Sequence, residues 1–339
     1  MTARARLGGI LAILLLGSAA SAAEGGFGGL FRPWPEGQVS RGGGNLKVYT
    51  VEDVEGSGED FAIWGFGVND TVPIIQAGSD ELLFNVSYRN LQIDTGARLP
   101  RTPDRDFPED LHRISLGLTY RHDYGDGRSI VLMARLGSAS DGLFADETVT
   151  VSGLGMMRLP DGHGRNAWIL GLSYRDRIGS DGDGDGPLEG VSIPLPVIAY
   201  SWAFGRRSGA VVGLPFSGVH AETENGFKFD FNYMLLRTVR AKVAYGLREN
   251  LDLYGTFAWD SESYWLEDRP DDDDRLAFYE KRLGLGFDIK LGERVKLGLE
   301  TGWSFDRFVY EDEDYDDRKD NWLEIEDALY GKVVLKVSF

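Results

Sequence analysis

The chain has 339 residues, a formal net charge of −18 and no cysteine. The lack of cysteine excludes disulfide bonds and cysteine-ligated metal sites, and the negative charge argues against nucleic acid as a partner. The 45 glycines and the 12% of aromatic residues favour an all-β chain in which many strands are joined by turns.

The first residues predict export from the cytoplasm. A basic start precedes the apolar run Leu7–Leu16, and small residues follow as far as Ala22 and Ala23. This is the pattern of a secretory signal peptide, with cleavage after either alanine. The alternative is a membrane anchor, but the apolar run is too short to cross a bilayer core of about 30 Å. We therefore predict a cleaved signal peptide over residues 1–23 and no transmembrane helix after it.

The next segment, residues 24–45, is rich in glycine and contains Pro33 and Pro35. Glycine and proline interrupt regular structure, so this segment is predicted to be a loose periplasmic leader. Residues 46–339 form the remaining domain.

Apolar and polar residues alternate in many segments of that domain. Between Arg282 and Leu291, for example, Leu283 and Leu285 belong to an apolar set, whereas Arg282 and Asp288 belong to a set of charges and glycines. A period of two indicates a strand with two different faces. The apolar face suits lipid and the other suits a wet lumen. A soluble sandwich or barrel is the alternative, but about twelve or more strands enclose more space than side chains fill.

The connections between these segments are of two kinds. Short turns, such as the one at Asn225-Gly226, alternate with long and mostly acidic segments. Short turns at one end and long loops at the other are typical of bacterial outer-membrane barrels. The long segments are Asp94–Asp110, Ser138–Glu147, Asp176–Gly190, Ser261–Leu276 and Arg307–Leu323.

Sixteen candidate strands are found, but two pairs are interrupted by proline. The first pair is Leu46–Val54 with Phe61–Ile75, and the second is Gly209–Leu214 with Gly218–Glu224. We predict an all-β fold, a single transmembrane antiparallel up-and-down β-barrel of about 14 strands, with 12 to 16 open.

The signal peptide, the alternating strands and the terminal Phe339 together resemble those of Gram-negative outer-membrane β-barrel proteins over the whole mature chain. The segments "IPLPVIAYSW", "VVGLPFSGVHAE" and "VRAKVAYGL" are similar to an uncharacterised family of outer-membrane barrels, which implies no binding residues. The resemblance implies an outer-membrane location among lipid and lipopolysaccharide. It also implies that the barrel-assembly machinery reads the last strand at Val333, Leu335, Val337 and Phe339, although Gly331 stands where such strands usually have another apolar residue.

The side chains predicted to line the lumen set the expected function. They are mostly basic, whereas the long loops are acidic. A passive pore or small-solute channel needs no more than lumen charge, width and loop gating, and we favour that function. A closed structural or adhesive barrel is the alternative from another class. The candidate lumen-lining residues are Arg121, Arg135, Arg175, Arg240, Lys242, Arg282, Lys290, Lys296, Glu300, Lys332 and Lys336.

Motifs for other chemistry are weak. Asp181, Asp183 and Asp185 resemble the opening of a calcium loop, but the glutamate expected at loop position twelve is replaced by Ser192. The acidic loops could instead bind divalent cations diffusely and bridge to lipopolysaccharide phosphates. No nucleophile or zinc motif surrounds any of the four histidines. An outer-membrane hydrolase is therefore the third hypothesis, and we expect no enzyme and no cofactor.

Overall fold

The computed structural model describes residue 31 and residues 34–144, 148–162, 165–177, 194–234, 238–267, 274–312 and 321–339, with the backbone alone at 175–177 and 312. No helix in these ranges is long and apolar enough to cross a membrane. The described strands are β1 (Arg41–Tyr49), β2 (Glu52–Asp53), β3 (Asp60–Ala77), β4 (Asp80–Thr95), β5 (Asp110–Asp123), β6 (Ser129–Ser140), β7 (Val149–Pro160), β8 (Ala167–Arg177), β9 (Leu195–Ala203), β10 (Gly209–Leu214), β11 (Phe216–Glu222), β12 (Phe227–Met234), β13 (Thr238–Arg248), β14 (Leu251–Tyr264), β15 (Arg275–Lys290), β16 (Val295–Asp312), β17 (Trp322–Ile325) and β18 (Ala328–Ser338).

The strands form one closed antiparallel wall. Each long strand pairs with its neighbours in the chain, and β1 closes the wall by pairing with both β3 and β18. The short strands β2 and β17 extend the rim beside β3 and β16 and are bridged by Val54 and Ile325. Sixteen strands therefore make the barrel. The predicted all-β, up-and-down antiparallel barrel is confirmed, with a strand number at the upper end of the predicted range.

The two proline-interrupted pairs are strands of the wall, which explains the lower number predicted. In β3 the ladder continues past Pro73 with a register shift before Ile75. An irregularity of this kind accommodates a residue that has no N–H to donate. In the other pair, Pro215 alone connects β10 to β11. The wall also begins earlier than residue 46, because β1 starts at Arg41 within the segment predicted as leader.

The two faces of the wall are those that the alternation predicts. Leu285 and Leu172 point outward and are 65% and 58% exposed, whereas Arg282 and Asp288 point inward and are 9% and 7% exposed. A wall that is apolar outside and charged inside is suited to lipid around it and water within. Aromatic rings lie on the outer face near both ends. Examples are Trp64, Trp303, Trp168 and Phe227.

One irregularity reverses the faces of a strand. The register of β16 against β15 shifts between Tyr279 and Lys281, where Asp306 has a φ of 52°. Strict alternation would place Asp306 in the lumen and Arg307 outside. Instead, Asp306 pairs with the outward-facing Lys281, and Arg307 is buried inside. A bulge inserts one residue into one strand, so the period of two changes phase there.

The barrel has a loop end, where the long connections lie together with the short ones after β10 and β12, and a turn end, where each connection is short. An apolar cluster, which we call the cap, fills the loop end. Its centre includes Phe61 and Phe107, whose rings meet edge to face at 5.8 Å. The buried members of the cap are Tyr49, Val54, Phe61, Ile63, Leu91, Ile93, Ala97, Leu99, Phe107, Leu111, Ala139, Tyr264, Leu266, Leu276, Val309, Ile325, Ala328 and Tyr330.

The outward and inward faces should differ in their tolerance of charge. Leu172→Arg places a cation against the lipid, which should reduce the free energy of unfolding by about 2–4 kcal/mol. Ser173→Arg, at the next residue on the inner face, should cost much less. Urea unfolding of the refolded protein in lipid vesicles measures both.

Similar losses for Leu172→Arg and Ser173→Arg would contradict the assignment of the two faces. Gly286 is not a suitable inner control, although alternation suggests it. A Cβ there would lie 2.3 Å from the carbonyl oxygen of Leu299.

Candidate functional site

The centre of the lumen holds a network of ion pairs, which we call the lumen network. Lys47 of β1 and Glu280 of β15 are joined at 2.9 Å, and Glu280 also pairs with Arg282 on the same strand. Arg282 reaches Asp260 of β14, which Arg240 of β13 contacts at 2.9 Å. These strands turn alternate residues inward, so the charged groups of four strands meet in one place. Each buried charge therefore has a partner of opposite sign, as burial requires.

A second set of ion pairs lies closer to the turn end. The carboxylate of Asp288 is shared by Lys242 at 2.8 Å and Lys296 at 3.1 Å. The Lys242 ammonium also lies 3.9 Å from the ring centroid of Tyr254, which is a cation–π contact. The inner wall formed by β13 to β16 is thus polar over much of its height.

Charged groups also connect opposite walls. Arg89 of β4 pairs with Glu262 of β14 at 2.5 Å. Arg113 of β5 donates a hydrogen bond to the carbonyl oxygen of Ser263 at 2.9 Å and covers the ring of Tyr264. These contacts cross the lumen, because β14 lies far around the wall from both β4 and β5.

The walls come together at the loop end. Seven strands separate β6 from β14 in either direction, yet Ser140 and Trp265 form a β-bridge. The N–H of Trp265 donates to the carbonyl oxygen of Ala139 at 2.9 Å, and the N–H of Glu267 donates to Asp141 at 2.9 Å. The chain that leaves β14 is therefore hydrogen-bonded to the opposite side of the barrel.

The cap is held by polar contacts from the loop between β4 and β5. Glu311 is 1% exposed and accepts hydrogen bonds from the N–H of Arg101 and the hydroxyl of Thr102, both at 3.1 Å. Arg101 also pairs with Asp274, which is 2% exposed. These bonds compensate the burial of two carboxylates and hold the loop, with Leu99 and Phe107, inside the mouth of the barrel.

One part of the inner wall is apolar instead of charged. We call it the apolar patch: Met156, Ile169, Val197, Ala199 and Phe216, each no more than 2% exposed. They come from β7, β8, β9 and β11, and the half-buried Leu154 and Val211 pack against them.

The leader reaches this patch from the turn end. Phe31 packs against the patch, and the N–H of Trp34 donates to the Glu81 carboxylate of β4 at 3.1 Å. Val39 donates its N–H to the carbonyl oxygen of Phe339 at 2.7 Å, beside the seam between β1 and β18. Among the described residues, Val39 thus contacts the seam and Trp34 contacts β4, whereas Phe31 contacts the opposite wall.

The described lumen candidates are placed on inward-facing positions, and most have partners. Besides those in the two networks, Arg121 pairs with Glu81 at 2.6 Å and Lys332 lies 3.9 Å from Glu300. Arg135 is exposed to the lumen, and Lys290 donates to the carbonyl oxygen of Glu249 at 3.1 Å. The remaining candidates are Lys336, which faces Lys296 across the ladder, and Arg175, of which only the backbone in β8 is described.

The residues of the predicted assembly signal share the outer face of β18. Val333, Leu335, Val337 and Phe339 alternate with the inward Lys332 and Lys336, and Phe339 is 49% exposed. Their recognition by an assembly machinery stays a prediction.

Sequence reasoning missed several charged residues of the lumen. Glu262 and Glu280 were placed in or beside a loop, because the strands β14 and β15 extend farther than the clear alternation does. Arg307 was predicted to begin the long segment Arg307–Leu323, whereas β16 continues to Asp312 and the bulge at Asp306 turns Arg307 inward. Lys47 could have been found, since it lies between the outward Leu46 and Val48.

Metal binding has no support in the described part of the chain. No group of three or more histidine or acidic residues that could hold a metal ion occurs there. The calcium candidates Asp181, Asp183 and Asp185 lie outside the described residues.

No family model and no curated protein matches the chain. It is similar to the translocator domain of the autotransporter NalP from Neisseria meningitidis, at 12% identity and a TM-score of 0.35 over 92% of this chain and 91% of that one. It is also similar to an outer membrane channel from Pseudomonas putida F1, at 9% identity and a TM-score of 0.37 over 94% and 100% of the two chains. A third structure, the toluene transporter TodX of Pseudomonas putida, has 7% identity and a TM-score of 0.39 over 95% of each chain.

These likenesses are too distant to carry an argument about function. The chain's own features define its class: a closed antiparallel wall, an apolar outer face with aromatic rings near both ends, a charged lumen, and short turns opposite long loops. The protein is a β-barrel of the outer-membrane type.

Removing the central carboxylate should destabilise the barrel. Glu280→Gln leaves Lys47 and Arg282 without the charge that both contact, and loss of one partner of a buried pair costs about 3–5 kcal/mol. Glu293→Gln, in the exposed turn between β15 and β16, is the control and should change the free energy of unfolding by less than about 0.5 kcal/mol. Guanidinium unfolding of both refolded variants measures the difference. If the two variants unfolded alike, the lumen network would not contribute as described.

Proposed function

We propose that the protein is a transport channel of the outer membrane, closed in this conformation and opened by movement of the cap. The observation that carries this proposal is the lumen network. Buried ion pairs are poor stabilisers compared with apolar packing of similar volume. A barrel that served only as a rigid body would be better filled by apolar residues, whereas a path for water and polar solutes requires polar walls.

The closed state is supported by two further observations. The cap fills the loop end, and β6 and β14 are bonded across the lumen through Ser140 and Trp265. The part of the cap that lies on connections between strands, such as Leu99, Phe107 and Leu266, can move while the hydrogen-bonded wall stays intact. Ion-paired lumen charges leave little net field, so we expect weak selectivity between anions and cations once the channel is open.

The surroundings of the barrel follow from the same proposal. We propose that lipid and lipopolysaccharide cover its outer face, and that the assembly machinery reads the outward residues of β18. Divalent cations could bind the acidic loops diffusely. No enzymatic activity is proposed.

A closed structural barrel is the second candidate, and the cross-lumen contacts favour it. In that case the cap and the bridge between β6 and β14 would be permanent. The two candidates differ in whether disturbing the cap creates an ion path.

Opening the cap should produce conductance. The double variant Leu99→Ser and Phe107→Ser weakens the packing of the loop between β4 and β5, since both side chains are buried in the cap. We expect infrequent openings of the wild-type protein in planar bilayers and an open fraction at least about tenfold higher for this variant, which corresponds to about 1.4 kcal/mol of lost closure energy.

The matched control lies on the same loop. Arg98→Ser and Asp106→Ser remove an exposed ion pair, with side chains 54% and 81% exposed, and should leave the wild-type behaviour unchanged. A cap variant that folds, by heat-modifiable gel mobility, yet remains silent would contradict the channel and favour the structural barrel.

A further inference from the structure

We infer that the apolar patch is a binding site for a small apolar solute with a single aromatic ring, and that Phe31 of the leader fills this site in the present conformation. The inference deepens the proposed function, since it names a class of solute for the channel.

The patch is out of place in a charged lumen. The wall formed by β13 to β16 carries ion pairs, whereas the patch buries Met156, Ile169, Val197 and Phe216 nearly completely. Apolar surface left against water is unfavourable by about 25 cal/mol per Å². Such a surface therefore needs a cover.

The structure contains the cover. Phe31 is separated from the patch by more than a hundred residues of sequence, and it packs against the patch from within the lumen. Its benzyl group identifies the chemistry that the patch accepts, namely a single aromatic ring without charge. A protein side chain that occupies a site from a tethered segment acts as an intramolecular ligand and competes with any free one.

The described part of the leader after Phe31 forms a compact turn in which Gln38 donates its N–H to the carbonyl oxygen of Pro35 at 3.2 Å, and Gly37 has a φ of 75°, a conformation that glycine adopts without strain. The Trp34 indole N–H donates to the carbonyl oxygen of Gln38 at 2.7 Å. Beyond this turn, the N–H of Trp34 reaches the wall at Glu81.

The test measures the binding of benzyl alcohol, a water-soluble compound with one aromatic ring. The wild-type mature chain and its variants are compared after refolding in lipid nanodiscs. Isothermal titration calorimetry measures binding, and empty nanodiscs provide the correction for partition into lipid. Phe31→Ala should bind about tenfold more tightly than the wild type, which is the factor expected if Phe31 fills the site about nine-tenths of the time. Val39→Ala, an exposed apolar position of the same leader whose backbone bond is retained, should bind like the wild type.

A further variant tests the site itself. Val197→Thr is close to isosteric and forms strands equally well, but it places a hydroxyl in the apolar patch. Added to Phe31→Ala, it should weaken binding by about tenfold, because the hydroxyl loses water when the solute binds.

The inference would be overturned if the calorimetry of every variant showed only the heat of partition into lipid. Equal affinities of the wild type and Phe31→Ala would also overturn it, since Phe31 would then not compete. The proposed transport function is tested separately. If the cap variant showed no conductance, the transport function would be contradicted, whereas binding of benzyl alcohol to Phe31→Ala would still establish the site.

Discussion

A closed wall of sixteen strands encloses more space than one layer of inward side chains can fill. This constraint governs the inside of the protein. Three different groups of residues occupy the space inside the barrel. The cap, with Leu99 and Phe107 from a loop, fills the loop end. Ion pairs around Glu280 occupy the middle. On the side opposite the seam, Phe31 of the leader packs against the apolar patch.

The ion pairs also brace the seam of the barrel. The first and last strands must meet to close the wall, and β1 pairs with β18 from Arg41 to Tyr49. Lys47 of β1 reaches Glu280 of β15, past the two strands β18 and β16. This contact spans two strands and therefore links the first strand of the barrel directly to β15. The polar lumen thus supports closure of the wall.

Much of the fold could be predicted from the sequence. The outward position of Leu285 and the inward position of Arg282 follow from a period of two, which local sterics impose on every strand. The strand number was underestimated because Pro73 and Pro215 suggest breaks, whereas a ladder can absorb a proline at an irregularity or an end. Strict alternation places Asp306 on the wrong face, and Arg307 was predicted to lie in the long segment Arg307–Leu323, because a bulge changes the phase of alternation and leaves no clear mark in the sequence.

The site was less accessible to sequence reasoning for a physical reason. Alternation tells which residues face inward, but not which of them meet across the lumen. The pairing of Arg89 with Glu262 depends on the curvature of the whole wall, and so does the contact between Ser140 and Trp265. The position of Phe31 depends on the path of a leader that has no periodicity. These contacts are properties of the closed barrel and not of any one strand.

The most direct test of the closed lumen is a cross-link between its opposite walls. Because the chain has no cysteine, Ser140→Cys combined with Trp265→Cys introduces the only thiols, at two residues joined by a β-bridge across the barrel. In outer membranes, mild oxidation should link them intramolecularly in high yield, because bridge partners satisfy the Cα separation of about 4.4–6.8 Å that a disulfide needs. A control pair, Ser140→Cys with Tyr245→Cys near the turn end, should remain unlinked. Absence of the link in folded protein would contradict an occluded lumen, since the walls would then stand apart at the loop end.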